Sequence, residues 1–241
     1  MPRIVAALAA LLALSAFADE PKIRAAVEAR IGAKVDGVQA TPMAGIYEVR
    51  FQTPEGPKIV YSDAQGNFIL TGRMIDLRSD RDLTEERMQK LTAIEFSALP
   101  LELAVKVQRG NGRRVLAMFS DPYCPYCRRL EQTLLQIDDI AVYVFMFPVI
   151  RPEFADHSRA VWCSKDRAKA WLELAALERP KVPAAGAACA NPVDKVLELG
   201  RTLGVRSTPT LYFGNGERVE GGMQVADLRS KLDEISRQAK K

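Results

Sequence analysis

Residues 115 to 127 limit what this chain can become more tightly than any other stretch. Val115-Leu116-Ala117-Met118-Phe119 is an unbroken apolar run of strand length, and Cys127 to Ile137 carries helical period. Cys124-Pro125-Tyr126-Cys127 therefore falls between a buried strand and the start of a helix. A thiol in that place faces unpaired backbone N–H groups and the positive end of the helix dipole, both of which favour thiolate over thiol. The expected result is a nucleophile at neutral pH. Two intervening residues wrap one helical turn and bring the sulfurs within bonding reach. Cys124 is then the outer, attacking sulfur, and Cys127 the inner one that resolves a mixed disulfide. Pro125, in the first turn, needs no N–H partner and stiffens the ring.

Other chemistries fit these residues poorly. Zinc needs a second pair of ligands, but Cys163 and Cys189 stand 26 positions apart and His157 is the one histidine, so no metal site is expected. A Cys–His catalytic pair meets the same shortage, and His157 reads as an ordinary surface or helix-start residue. A purely structural staple would gain little from so tight a ring. Redox exchange without a cofactor is what remains.

The rest of the chain divides by pattern, and its 241 residues suffice for one large domain or two small ones. Arg3, the apolar run Ile4 to Leu14, and Ala16-Phe17-Ala18 before Asp19 read as a secretory signal peptide over residues 1–18. That run is shorter than the roughly 20 residues of a spanning helix, and no later stretch is long enough. Pro21 to Ile31 has the period of a short amphipathic helix, and Val35 to Leu77 reads as short antiparallel strands joined by tight turns. A unit of roughly 55 residues buries too little surface to be comfortable alone, and a second copy would cover its strand edge. Residues 19–78 are thus expected to be a dimerisation domain. Leu83, Met88, Leu91, Ile94 and Leu99 fall on one apolar stripe, with Thr84 as a candidate cap. They predict a linker helix within residues 79–100, about fifteen residues and about 22 Å long. Residues 101–241 alternate as strand, helix, strand, helices over Ser158 to Leu177 and Pro192 to Leu203, a hairpin and a last helix from Val225 to Gln238. That order predicts an α/β layer sandwich with a helical insertion at 155–205.

Charge and cysteine usage set the surroundings. A net charge of +4, from 34 Lys and Arg against 30 Asp and Glu, gives no concentrated basic face, so no nucleic-acid partner is expected. All four cysteines follow residue 120, and in an oxidising compartment an even number most simply means two disulfides, with three pairings open.

Three segments together carry a family resemblance. Phe119-Ser120-Asp121-Pro122-Tyr123-Cys124-Pro125-Tyr126-Cys127, Val161-Trp162-Cys163-Ser164-Lys165-Asp166 and Gly204-Val205-Arg206-Ser207-Thr208-Pro209-Thr210 resemble the DsbC/DsbG family of periplasmic disulfide isomerases. The resemblance runs over the whole mature chain. It implies a thioredoxin-fold catalytic domain, a homodimer joined through the N-terminal modules, misfolded disulfide-containing clients in a shared apolar cleft, and a DsbD-type membrane reductase that keeps the active cysteines reduced. It implies a cis bond at Thr208-Pro209, where an extended client would pair with the backbone as an added strand. It also pairs Cys163 with Cys189 as a second, non-catalytic disulfide, and closing that loop is worth about 3 to 4 kcal/mol in the chain-entropy model.

Two departures bear on function. Cys-Pro-Tyr-Cys is the DsbG form, and Pro125 stands where DsbC commonly has Gly. Thioredoxins carry a buried acid where this chain has Met118, so the base for Cys127 is unassigned. The expected activity is isomerisation of wrong disulfides in the periplasm, with chaperone activity alongside. The alternatives are a DsbG-like reductase of sulfenylated cysteines and a chaperone-only dimer.

Overall fold

The computed structural model describes residues 20–54, 56–177, 181–183 and 189–238. The signal peptide expected at 1–18 lies outside them. The described residues form two compact units that part between Leu91 and Thr92.

In the first unit, α1 (Glu20–Ile31) buries Ile23 and Val27, one turn apart on a single face. Strands β1 (Val35–Ala40), β2 (Ile46–Thr53), β3 (Gly56–Asp63) and β4 (Ile69–Leu70) follow as an antiparallel meander in chain order. β2 and β3 pair along their full length, from Ile46 opposite Asp63 to Thr53 opposite Gly56. Ile23, Val27, Val35, Val49, Phe51 and Val60 make the core. A small hairpin, β5 (Ile75–Asp76) with β6 (Arg81–Asp82), leads into α2 (Leu83–Leu91).

Two expectations fail at α2. Its cap is Asp82, whose Oδ1 accepts from the Glu85 N–H at 2.8 Å. The Thr84 hydroxyl instead accepts from the Met74 N–H at 2.8 Å and pairs with the Tyr61 hydroxyl. The helix also stops at Leu91, so the single linker helix predicted within 79–100 does not form. Only the later part of the expected apolar stripe joins a core. The Ile94 N–H leaves helical geometry to donate to the Gly216 carbonyl at 3.1 Å, and Ile94, Phe96 and Leu99 pack into the second unit. Two 3-10 turns, Phe96–Ala98 and Leu101–Leu103, carry the chain onward.

The second unit is built on a five-stranded sheet of order β11-β10-β8-β9-β7. Its strands are β7 (Val105–Arg109), β8 (Arg114–Ser120), β9 (Ile140–Met146), β10 (Thr210–Phe213) and β11 (Arg218–Glu220). β8 and β9 are parallel and the other pairs antiparallel. β8 lies in the middle with elements on both faces, which is why its sequence reads as continuous apolar rather than alternating. β7 is an edge strand that the sequence reading passed over, because Lys106, Gln108 and Arg109 interrupt its apolar positions.

Helices α3 (Pro125–Leu134), α4 (Ala155–Cys163), α5 (Arg167–Ala175), α6 (Val193–Thr202) and α7 (Val225–Gln238) cover this sheet. On α3, Cys127, Leu130, Glu131 and Leu134 face inward. The stretch expected to be helical over Ser158 to Leu177 holds two helices, α4 and α5. Asp166 starts α5 by accepting the Lys169 N–H at 3.0 Å, which breaks the run after Cys163. Among the described residues no helix is long and apolar enough to cross a membrane.

Candidate active site

The end of β8 delivers the thiols. Asp121, just beyond that strand, is fully buried yet well supplied: its Oδ1 accepts from the Tyr123 N–H, and its Oδ2 from the Val149 and Ile150 N–H groups, each at 2.7 Å. One carboxylate thus ties the reactive loop to the segment after β9, and three donors offset the cost of burying it. Cys124 follows as the N-cap of α3, with extended backbone (φ −78, ψ 121) and Pro125 in the first turn. This is where an unpaired helix terminus favours negative charge.

Cys124 and Cys127 are both free thiols. Cys124 is 4% exposed and Cys127 1%, so the outer sulfur is more covered than the sequence reading implied. What covers it is informative. The Cys124 Sγ–H donates to the Thr208 carbonyl at 3.2 Å, and the Thr208–Pro209 peptide bond is cis. Thr210 sits opposite Phe119 in the β10–β8 pairing, which carries the cis turn to the end of β8. Cys124, Cys127, Thr208 and Pro209, four residues chosen from sequence, therefore belong to one site.

Burial pushes the Cys127 thiol up to about 12, and a charge on Cys124 pushes the same way. The Ser120 hydroxyl, the Asp121 backbone and the Thr208 hydroxyl oppose it. Ser120 Oγ and Thr208 Oγ1 are buried without a hydrogen-bond partner, and both lie where they lower the pKa of the inner thiol. Met118 is fully buried in β8, so no acid stands there to accept the inner thiol's proton, and the groups that favour the Cys127 thiolate are two hydroxyls and a backbone amide.

Cys163 and Cys189 form a disulfide with Cα atoms 5.8 Å apart, well away from the reactive pair in sequence. It fastens the end of α4 to the segment just before α6.

Two nearby groups escaped sequence reasoning. His157, expected as an ordinary surface or helix-start residue, does lie in the first turn of α4, but its Nδ1 also hydrogen-bonds the Tyr123 hydroxyl, beside Cys124. No local spacing could have paired residues so distant in the chain. Glu131 is buried on α3 with its carboxylate accepting from Trp171 Nε1 at 2.6 Å, and burial raises its pKa to about 7. The signal for it was present: it lies one turn beyond Cys127, on the helix face that the sheet covers.

A dithiol at a helix N-terminus, set after the central strand and against a cis-proline turn, defines a thioredoxin-fold thiol–disulfide exchange protein. Comparison with known proteins narrows this class. The thioredoxin-like domain family matches residues 101–236, and the disulfide bond isomerase protein N-terminal domain matches residues 14–85. The probable thiol:disulfide interchange protein DsbC of Bordetella pertussis is 40% identical over 202 residues, which are 83% of this chain and 69% of the relative. The thiol:disulfide interchange protein DsbC of Escherichia coli K12 is 27% identical over 230 residues, 93% of this chain and 92% of that protein. A crystal structure of a disulfide interchange protein from Neisseria gonorrhoeae is similar with a TM-score of 0.52 and 39% identity, over 58% of this chain and 97% of that one. The chain belongs to the DsbC family of thiol:disulfide interchange proteins.

Proposed function

We propose that this chain is a periplasmic disulfide isomerase in which Cys124 is the nucleophile, Cys127 the resolving thiol, Thr208 and Pro209 the client-binding turn, and Cys163–Cys189 a structural disulfide. The observation that carries the reading is the contact of Cys124 Sγ with the carbonyl that precedes the cis-proline, at 3.2 Å. When Cys124 ionises, that carbonyl no longer receives the thiol proton. Its lone pairs are then free for a client N–H, so the step that arms the sulfur also opens the backbone site.

The Cys124 thiolate attacks one sulfur of a wrong disulfide in a misfolded client. A Cys124–client S–S bond forms, the client bond breaks, and the other client sulfur leaves as a thiolate that takes a proton from water. Two exits follow. A second client thiolate attacks the client sulfur and returns Cys124 as thiolate, which reshuffles the client with no net redox change. Alternatively, Cys127 attacks Cys124 Sγ, the client leaves reduced, and the Cys124–Cys127 disulfide must then be reduced by a partner of the DsbD type. The high pKa of Cys127 favours the first exit.

The N-terminal unit supports a homodimer. Phe68, Leu70, Ile75 and Leu77 are exposed in the stretch after β3, which includes the two-residue edge strand β4, and they are apolar side chains that a second copy would cover. A dimer of this kind would also have room for chaperone activity on unfolded clients. The Pro125-Tyr126 dipeptide favours a second reading, a DsbG-like reductase of sulfenylated cysteines. Purified chain should restore activity to a scrambled multi-disulfide substrate, faster than it reduces a sulfenic-acid client, and Cys124→Ala should lose that restoration. Retained restoration in Cys124→Ala would sink the mechanism, and a faster sulfenic-acid reaction would favour the second reading.

A further inference from the structure

We infer that His157 is a positioning residue for Cys124, acting through Tyr123; this rests on Cys124 being the nucleophile proposed above. Tyr123 precedes Cys124 directly, so fixing its side chain steadies the backbone from which the thiol projects. That backbone has two tethers. One is internal: the Tyr123 N–H donates to Asp121 Oδ1 at 2.7 Å, and the Cys124 N–H to the Asp121 carbonyl at 3.1 Å. The other crosses to α4, where the Tyr123 hydroxyl meets His157 Nδ1.

The imidazole is itself held in place. Its ring stacks on Phe154 with centroids 5.2 Å apart and planes at 10°, Tyr123 packs on Phe154 at 5.1 Å, and the Arg151 guanidinium lies 5.8 Å from the Phe154 ring centre. Burial raises the Tyr123 pKa, so the phenol keeps its proton; in the proposed arrangement it is the donor, with Nδ1 accepting in the tautomer that carries its proton on Nε2. Stacking alone holds rings by area and leaves them free to slide. A hydroxyl aimed at a ring nitrogen adds direction.

The consequence reaches the sulfur. With the outer tether cut, the loop samples arrangements in which Cys124 Sγ moves off the N-terminus of α3, and the arrangement that favours thiolate is populated for a smaller fraction of the time. α4 also ends at Cys163, so the structural disulfide steadies the helix that carries His157. The two cysteine pairs are linked through that helix.

The test is the iodoacetamide rate constant of Cys124 in the reduced full-length chain. Tyr123→Phe and His157→Leu should each slow it by about two- to tenfold, the worth of one hydrogen bond. His157→Asn, which sets an amide oxygen near the position of Nδ1, should restore it to within about twofold, because acceptance and not ring area is what matters. The double variant Tyr123→Phe/His157→Leu should be no slower than the slower single. An unchanged rate in Tyr123→Phe, a loss that Asn does not restore, or additive losses would each overturn the inference. Tyr123→Phe removes one oxygen and keeps the ring, so it decides the matter if His157→Leu does not fold. A wild-type thiol no more reactive than free cysteine would instead sink the nucleophile reading, whatever the variants do.

Discussion

At the scale of single residues, the inner thiol sets how long a mixed disulfide lives. With Cys127 pushed up to about 12, its thiolate is rare near neutrality, while a client thiol of ordinary pKa, roughly 8.5, is ionised far more often. Reshuffling by the client therefore outruns reduction by the enzyme. The rate at which Cys127 resolves a trapped peptide mixed disulfide should rise about tenfold per pH unit from 7 to 9, tracking its thiolate fraction. Removing a donor should raise that pKa further, so Ser120→Ala should lengthen the lifetime about two- to tenfold at fixed pH. Rapid quenching at several pH values measures both, and a flat profile would show that Cys127 does not limit the step. The sequence revealed the two reactive cysteines because their meaning is local: strand before, helix after, two residues between. Ser120 was quoted only as part of a motif, since nothing in its neighbours says that its hydroxyl is buried without another partner. The pairing of His157 with Tyr123 was hidden for the same reason, its partner lying on another element.

Elements are where local pattern and tertiary demand compete. Glu131 joins α3 to α5 through Trp171, and burial raises its carboxyl from 4.5 to about 7. A raised folded-state pKa means that the folded chain holds this proton more tightly than the unfolded one. The stabilisation is complete below about 4.5 and is lost as pH rises through about 7. Glu131→Gln keeps an acceptor for the indole and cannot ionise. It should therefore melt like the wild type near pH 4.5 and exceed it at pH 8, by on the order of 3 kcal/mol. Thermal or denaturant melts across that range test this, and parallel pH profiles for the two proteins would refute it. The other helices show why patterns were partly readable. α7 matches its predicted span because one core receives its whole stripe. The stripe from Leu83 to Leu99 misled because its second half is claimed by the other unit, and periodicity does not say which core an apolar residue joins. The break before α5 was written locally, in Asp166, but was outweighed by continuous apolar spacing on either side.

For the whole molecule, composition and period change between a strand-rich first part and an alternating second one, and the described residues part into two units between Leu91 and Thr92, inside the stretch expected to be a linker. Association is argued from size, and the exposed apolar side chains offer it an address. The first unit's core is six buried residues, while Phe68 stays 67% exposed and Leu77 88%. Side chains that apolar gain nothing from facing water, and in the proposed dimer they would mark the surface that the second copy covers. Because both already face solvent in the single chain, changing them should alter the unit's own folding by no more than about 0.5 kcal/mol. The double variant Phe68→Glu/Leu77→Glu thus tests association with little effect on the fold of the single chain. Sedimentation should find the wild type as a dimer and this variant as a monomer, and melting of the first unit should rise with protein concentration in the wild type and not in the variant. Thiol exchange belongs to the second unit, so the Cys124 alkylation rate should stay the same in both, whereas suppression of client aggregation should fall with the dimer. A wild type that sediments as a monomer, or a variant that remains dimeric, would remove this surface from the account and leave the chemistry of the second unit standing by itself.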